Sequence, residues 1–155
     1  MVFAGLTGTT SPITVTSEIP KIDSSVVRQI ENRKTTKEIE NIMGTEEYVR
    51  QYFSDIPIMI QVAKCESSFR HLDRDGEIHR GVVNSADVGV MQINERYHLE
   101  RSEEEDYNIY TLEGNTAYAR DLYERQGIKP WNSSKPCWGK YLTDATNDDL
   151  AINVK

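Results

Sequence analysis

The sequence predicts a mostly α-helical α+β domain with a small β-hairpin, preceded by a flexible or partly helical N-terminal segment. Three features carry this prediction: a helix start at residues 45–47, an apolar helical stretch at residues 56–66, and an Asp75-Gly76 turn signal between alternating polar and apolar residues. The length of 155 residues suits a single domain, and 37% apolar with 28% charged residues is a globular composition.

The chain divides into three parts by composition. Seven of the eleven residues from Thr7 to Ser17 are Ser or Thr, which is typical of a linker. From Asp23 to Met43 the apolar residues permit a helix, either packed on the domain or projecting from it, and Gly44 would end it. We therefore predict an N-terminal linker segment at 1–44, helical from residue 23, the domain at 45–143 and a loose tail at 144–155.

The net charge of the chain is acidic and is concentrated in the domain. Residues 45–143 hold 12 basic and 17 acidic side chains, a net charge of −5 out of the total of −7. No basic stripe is available to neutralise phosphates, so the composition argues against nucleic-acid binding and against attraction to anionic membranes. No apolar run approaches the roughly 18 residues of a membrane span, and MVFAGL is too short for an export signal.

Most helices of the domain carry their own start or end signals. Thr45 can cap a helix whose first turn is acidic, and Asp55 is expected to cap the next one, with Pro57 in its first turn. That second helix, IPIMIQVAKCE, is apolar almost all round, so we expect it to be buried. A further helix is predicted in YTLEGNTAYARDLYERQG, ending at Gly127.

The remaining segments are predicted to be shorter or irregular. HLDRDGEIHRGVV should form the hairpin, and GVMQIN should enter a helix or form a short buried segment. KPWNSSKPCWGKYL is expected to be an aromatic loop, and the acidic run at residues 103–106 a solvated loop. No metal site is predicted, because the three histidines lack ligand spacing and the acidic residues at 73, 75 and 77 match the calcium-loop pattern only in part.

Cys65 and Cys137 are the two cysteines of the chain, and their spacing is far too wide for a metal finger. They are either two buried reduced thiols or a disulfide, and we favour the disulfide. It would tie the end of the apolar helix to the aromatic C-terminal segment and would contribute about 4 kcal/mol in the chain-entropy model. A disulfide would also indicate an oxidising compartment outside the cytoplasm.

Glu66 is the candidate catalytic acid. It ends the apolar helix, where the helix dipole disfavours negative charge, and helical spacing puts it on the face of Met59 and Val62. Both effects should raise its pKa, and a carboxyl that stays protonated near neutral pH is what a general acid requires. The alternative is a surface glutamate just beyond a frayed helix end.

Asp87, in ADVGVMQIN, is the candidate partner of Glu66. Glycoside cleavage uses one acid to protonate the leaving oxygen and a second carboxylate to stabilise or attack the sugar cation. An Asp that follows a hairpin could supply the second group. The alternative is an ordinary turn or cap residue.

Several motifs resemble the lysozyme-like superfamily over about residues 45–142. AKCESSF resembles the Glu-Ser motif around the catalytic glutamate of lytic transglycosylases, lysozymes and resuscitation-promoting factors, and GVMQIN resembles the transglycosylase G-L-M-Q motif. DVGVMQIN is similar to the D-Y-G-I-L-Q-I-N stretch of animal-type lysozymes, whose Asp is the second catalytic carboxylate. A Cys before the glutamate and a late Cys-Trp resemble the bridged pair of resuscitation-promoting factors.

This resemblance implies a lysozyme-like fold and a role for each matched residue. Glu66 would be the general acid/base and Asp87 the second carboxylate, although many transglycosylases manage with a single acid. Ser67 would position the loop that follows Glu66. Trp131 and Trp138 would be either flat platforms for sugar rings or core residues. The implied substrate-binding residues are polar or aromatic: Ser67, Gln92, Asn94, Tyr118 and Trp131.

The implied function is cleavage of the β-1,4 bond between N-acetylmuramic acid and N-acetylglucosamine in peptidoglycan, outside the cytoplasm. The enzyme would be a lytic transglycosylase or a lysozyme-type muramidase, a monomer that acts on glycan strands without a metal or an organic cofactor. Two alternatives stay open. One is a non-catalytic glycan-binding or interaction module that keeps the cleft, and the other is a hydrolase of a chitin-like polysaccharide.

Overall fold

Helices form most of residues 24–142, which are the residues that the structure, a computed structural model, describes. A small two-stranded antiparallel sheet completes the fold, so the predicted mostly α-helical α+β class is confirmed. The predicted Ser/Thr-rich linker and the C-terminal tail lie outside the described residues. The elements in chain order are α1 (Ser24–Ile42), α2 (Thr45–Tyr52), α3 (Pro57–Ser67), β1 (Asp87–Val88), β2 (Ile93–Asn94), α4 (Glu95–Glu104), α5 (Leu112–Gln126), a 3₁₀ helix (Lys129–Ser134) and α6 (Lys135–Trp138).

The first helix packs on the domain. Thr36, which is fully buried, accepts a hydrogen bond from the Leu112 backbone N–H at 3.4 Å. Asn32 accepts a second one from the Asn108 side-chain amide at 2.8 Å. Of the two arrangements that the sequence allowed for this helix, the structure therefore shows the packed one.

Neither predicted helix cap is present: Thr45 is the first residue of α2, with Gly44 at the N-cap position, and Asp55 does not cap α3. The residue before α3 is Ile56, and its side chain makes no cap hydrogen bond. The Asp55 carboxylate instead accepts two hydrogen bonds from the Arg120 guanidinium on α5, both at 2.8 Å. A bidentate ion pair of this kind satisfies both carboxylate oxygens, and it joins the turn between α2 and α3 to α5. The same guanidinium donates to the Tyr52 carbonyl oxygen at 2.6 Å.

The Asp75-Gly76 turn forms where it was predicted, but its arms are shorter than strands. Gly76 has a positive φ of 81°, and the arms pair antiparallel through an isolated bridge between Leu72 and Ile78. The sheet itself lies further along the chain, where β1 pairs with β2. A second isolated bridge, between Arg80 and Val88, connects the hairpin to β1.

One face of α3 lies in the apolar core, so the predicted burial holds for that face, whereas Pro57 and Lys64 are exposed. Met59, Val62 and Ala63 are completely inaccessible to solvent. The C-terminal segment, expected to be a loop, forms the 3₁₀ helix and α6, and these bring Trp131 and Trp138 into the core. The acidic run at 103–106 likewise ends α4 rather than forming a loop.

A disulfide between Cys65 and Cys137 joins the last turn of α3 to α6, with the two Cα atoms 5.9 Å apart. The favoured prediction for these cysteines is therefore confirmed. The bridge spans 72 residues of sequence and attaches the C-terminal segment beside Glu66. Among residues 24–142, no helix combines the length and the apolar character that a membrane crossing requires.

Candidate active site

Glu66 lies in the last turn of α3 and is partly buried. Its Oε1 atom accepts a hydrogen bond from the Ser134 hydroxyl at 2.6 Å. Burial is the largest influence on this carboxyl and raises its pKa, the Ser134 hydrogen bond lowers the pKa, and the charge of Asp87 raises it again. The net effect is a raised pKa, in the direction that a general acid needs.

Asp87 is held in one orientation by two side-chain amides. Its Oδ1 atom accepts from Asn94 at 2.7 Å and from Asn84 at 3.2 Å. Asn94 is also the cross-strand partner of Asp87 in the sheet, and its own side-chain oxygen caps α4 by accepting from the Arg96 N–H. Asp87 therefore lies on the strand pair of β1 and β2, and its charge acts on Glu66.

The backbone of residues 88–92, which follows Asp87, is held by buried side chains from its surroundings. The Ser67 hydroxyl donates to the Val90 carbonyl oxygen at 2.8 Å, and the Val90 N–H donates to Nδ1 of His71 at 3.2 Å. Ser67 and His71 thus satisfy both polar groups of one buried peptide residue, which would otherwise be costly to bury.

Two further side chains complete this support of residues 88–92. The Asn115 amide donates to the Val88 carbonyl oxygen at 3.1 Å, and its oxygen accepts from the Met91 N–H at 2.9 Å. The Trp131 indole N–H donates to the Met91 carbonyl oxygen at 2.9 Å. Side chains from α3, the hairpin, α5 and the 3₁₀ helix therefore all converge on one short segment.

The contacts of His71 require the neutral imidazole. Its Nδ1 atom accepts from the Val90 N–H, so the ring proton is on Nε2 and donates to the Tyr110 carbonyl oxygen at 3.2 Å. Complete burial is the main cause that lowers the pKa of His71 to about 4. The ring is therefore a structural support of the 88–92 segment, which fits the absence of ligand spacing in the sequence.

Gly89 is required by the same packing. Its φ is +72°, a region that side-chain-bearing residues rarely adopt. A Cβ atom at this position would lie 2.6 Å from the Asn115 amide nitrogen and 2.8 Å from Cε1 of His71. The glycine of the GVMQIN motif thus lets the backbone approach the two side chains that hold it.

The structure brings together four of the residues that the sequence proposed for the site. Glu66 interacts with Asp87, and Asn94 binds the Asp87 carboxylate. Gln92 donates from its side-chain amide to the Gly89 carbonyl oxygen at 2.9 Å. Gln92 and Asp87 also lie side by side next to Gly81. A Cβ atom added to this glycine would be 2.8 Å from Oε1 of Gln92 and 3.2 Å from Cβ of Asp87.

The other predicted substrate-binding residues lie inside the protein. Ser67 and Trp131 are each 3% exposed, and Tyr118 is not exposed at all. The Tyr118 hydroxyl and Nδ1 of His98 are 3.1 Å apart, and Trp138, also buried, donates its indole N–H to the Trp131 carbonyl oxygen. Because these side chains are buried and their polar atoms lie within hydrogen-bonding distance of protein groups, they offer no surface to a sugar.

Ser134 is a contact of Glu66 that the sequence reasoning missed. In the sequence it is one of two serines in a segment that is predicted to be a loop. The available signal was indirect: Ser134 precedes Cys137 by three residues, and Cys65 directly precedes Glu66. The two residues meet because the disulfide joins these parts of the chain.

A cavity of about 810 Å³ lies away from this site, between α1 and the hairpin. Its charged lining residues include Arg33 with Glu77, which are 2.8 Å apart, and Arg28 with Glu103, which are 3.6 Å apart. Each pair joins one positive and one negative side chain, so neither pair leaves a net charge on the cavity wall. Within residues 24–142, no group of three His, Cys, Asp or Glu side chains is arranged to hold a metal ion.

Comparison of the chain with protein-family models, with curated proteins and with solved structures finds no match in any of the three. The assignment of a function therefore depends on the geometry around Glu66 and Asp87.

Substitution of Gly89 by Ala should destabilise the protein by about 3 kcal/mol, because the new Cβ atom meets Asn115 and His71 in a disfavoured backbone conformation. Gly44→Ala is the matched control, since Gly44 has a negative φ and a Cβ atom there would meet nothing within 4 Å, and it should change stability by less than about 1 kcal/mol. Urea denaturation measures both. Equal stabilities of the two variants would contradict the packing argument.

Protonation of His71 should make the protein less stable in acid. Its folded-state pKa of about 4 lies below the value of about 6.5 in an unfolded chain, so the unfolded chain binds more protons between these pH values. Stability should be complete above about pH 7 and should fall by about 3 kcal/mol as the pH drops to 4. Denaturation curves across this range test it. A pH dependence that His71→Gln leaves unaltered would contradict the assignment.

Proposed function

We propose that this protein is a lysozyme-like glycosidase that cleaves the β-1,4 bond between N-acetylmuramic acid and N-acetylglucosamine in peptidoglycan. The observation that carries the proposal is a partly buried glutamate with a raised pKa, acted on by an aspartate that two amides hold in place. The motif resemblance around Glu66 and at residues 87–94 points to the same chemistry. Peptidoglycan glycan strands are the proposed substrate.

The first step uses Glu66 as the general acid. Its raised pKa keeps the carboxyl protonated at a higher pH than an exposed glutamate, so it can deliver a proton to the glycosidic oxygen as the C1–O bond breaks. The positive charge that develops on the sugar is stabilised by the Asp87 carboxylate, or is captured by it as a covalent bond to C1. The two amide donors on Asp87 keep that carboxylate from turning away.

The second step reverses the role of Glu66, which is then a carboxylate and accepts a proton. Where a covalent bond from Asp87 to C1 has formed, it breaks in this step and Asp87 leaves as the carboxylate. If the proton comes from water, the water oxygen bonds to C1 and a reducing end forms. If it comes from the C6 hydroxyl of the same N-acetylmuramic acid, that oxygen bonds to C1 and a 1,6-anhydro end forms. Both routes use Glu66 as acid and then as base, and they differ in how far they depend on Asp87, so the proposal covers a muramidase and a lytic transglycosylase.

The disulfide supports a location outside the cytoplasm. Such bonds persist in oxidising compartments and are rare where glutathione and thioredoxin keep thiols reduced. The Cys65–Cys137 bridge lies directly beside Glu66, so the arrangement of the site would depend on that environment. Peptidoglycan is found in the same compartments.

A non-catalytic glycan-binding module is a weaker alternative. Such a module would need exposed aromatic rings against which sugars can stack. Trp131 and Trp138, which the resemblance offered as sugar platforms, are buried, and so is Tyr118, which was expected to line the cleft. A carboxyl with a raised pKa, by contrast, has an immediate use in catalysis.

Glu66→Gln should abolish the loss of turbidity of purified cell walls while leaving the fold intact, because the amide cannot deliver a proton to the leaving oxygen. The control is Glu47→Gln, an exposed glutamate on α2, which should keep wild-type activity. Circular dichroism checks the fold of both variants. Activity of Glu66→Gln within about tenfold of wild type would rule out the assignment.

Asp87→Asn should distinguish the two chemical outcomes. If the wild type releases reducing ends, the loss of the carboxylate should lower the rate at least about 100-fold, because no group then stabilises or captures the sugar cation. If it releases anhydro ends with a single acid, the loss should stay below about tenfold.

Mass spectrometry of muropeptides from the wild type decides which case applies. Reducing ends together with an unchanged rate of Asp87→Asn would contradict the role given to Asp87. If the protein cleaves soluble chitooligosaccharides but not cell walls, its substrate is a chitin-like polysaccharide and not peptidoglycan.

A further inference from the structure

We propose that Ser134 is a positioning residue for Glu66, which holds the carboxyl in place and stabilises the negative charge that develops on it as its proton leaves. This inference rests on the proposed function of Glu66. It adds a residue that the motif resemblance does not include, and it assigns that residue to a defined moment of the reaction.

The side chain of Ser134 does not cap α6, although Ser134 occupies the N-cap position of that helix. At this position, serine usually accepts a hydrogen bond from the second or third N–H of the helix. Ser134 makes no such cap hydrogen bond, and the second residue of α6 is Pro136, which has no N–H. Its hydroxyl instead donates to Oε1 of Glu66 at 2.6 Å, within the short range of charge-assisted hydrogen bonds.

The hydroxyl of Ser134 has a second acceptor within reach, and this makes its effect depend on the charge of Glu66. Its oxygen lies 3.1 Å from the Trp131 carbonyl oxygen. A serine hydroxyl carries one hydrogen, so it can donate fully to only one of the two. Donation to Glu66 is strongest when the carboxyl is ionised, whereas a protonated carboxyl competes less well with the carbonyl. Ser134 therefore stabilises the charged form of Glu66 more than the neutral form.

This difference has a catalytic consequence. Glu66 is neutral before it delivers its proton and negative afterwards, so the hydrogen bond from Ser134 strengthens along the reaction. Interactions that are stronger in the transition state than in the ground state accelerate the chemical step. The same hydrogen bond keeps Glu66 ionised as the base of the second step. Burial raises the pKa of Glu66, and the hydrogen bond from Ser134 lowers it. Glu66 can therefore serve as the acid of the first step and as the base of the second.

The surrounding structure holds Ser134 in this position. Cys137, three residues further on, is bonded to Cys65, and Cys65 is the residue before Glu66. Trp131, three residues before Ser134, is buried, and its carbonyl oxygen accepts the Trp138 indole N–H at 2.8 Å. Both ends of the segment are thus anchored, one covalently and one in the core.

Other charges near Glu66 stay unchanged when Ser134 is replaced. Asp87 on β1 raises the pKa of Glu66 and is present in every variant compared. Lys64 on α3 and Lys135 on α6 are exposed neighbours in sequence of Glu66 and Ser134, and they too are retained. A difference between the wild type and a Ser134 variant therefore reports the hydroxyl itself.

The first test is the pKa of Glu66 in Ser134→Ala, measured by NMR titration of ¹³C-labelled glutamate carboxyl groups, with the Glu66 signal assigned from Glu66→Gln. Removing a donor to the charged form should move this pKa to a higher value than in the wild type. Ser133→Ala is the matched control, since Ser133 is an exposed neighbour, and it should leave the pKa unaltered. Ser134→Thr, which keeps the hydroxyl, should restore the wild-type value.

The second test is the pH profile of cell-wall cleavage. Ser134→Ala should lower kcat about tenfold near neutral pH with KM unchanged within about twofold, because the hydrogen bond acts as the proton leaves. The alkaline limb of the profile should move to higher pH, so the activity of the variant relative to wild type should rise with pH. A merely structural defect would lower kcat by the same factor at every pH.

An unchanged pKa of Glu66 in Ser134→Ala overturns the proposal, and so does an unchanged kcat at all pH values. Failure of the proposed function has a different signature, since either the wild type would then release no muropeptides or Glu66→Gln would keep its activity, whatever Ser134 does. The NMR titration needs no catalytic activity, so it judges the Ser134 contact separately.

Discussion

The hydrogen bonding of residues 88–92 is the constraint on which the rest of the candidate site depends. Buried peptide groups must find partners, and here the partners are the side chains of Ser67, His71, Asn115 and Trp131. Each comes from a different part of the fold, so α3, the hairpin, α5 and the 3₁₀ helix all contribute to holding the segment. Asp87 directly precedes this segment, and Ser67, which binds it, directly follows Glu66. The positions of both carboxylates are therefore consequences of a single buried polar network.

The electrostatics of the site follow from where this network leaves Glu66. The end of α3 is pressed against the core, so the carboxyl is partly removed from water, while the disulfide brings Ser134 within hydrogen-bonding distance of it. Burial and the charge of Asp87 favour the protonated form, and Ser134 favours the ionised form. In the mechanism we propose, Glu66 acts first as an acid and then as a base, and such opposing influences suit both roles. In a site of this kind, the supporting contacts decide the chemistry as much as the carboxylates do.

Much of the fold could be predicted from local patterns. Short-range signals predict the end of α5 at Gly127 and the apolar face of α3, and the presence of two cysteines predicts the link between Cys65 and Cys137. The errors have a common cause. Asp55 was assigned to its nearest helix start but pairs with Arg120, which is 65 residues away in sequence. The C-terminal segment, predicted to be an aromatic loop, forms the 3₁₀ helix and α6, because core packing of its two tryptophans overrides the weak helix propensity of its prolines and serines.

In the candidate site, too, some features follow from the sequence and others only from the tertiary structure. The sequence alone determined that Glu66 ends a buried helix, that a second carboxylate follows at Asp87, and that two cysteines are available for a bridge, because these depend on residue type and spacing along the chain. Only the tertiary structure decided that Tyr118 and Trp131 face inward, that Asn94 holds Asp87, and that Ser134 binds Glu66. The physical reason is that a polar side chain is compatible with several partners, and which one it meets depends on contacts between segments that are distant in the chain.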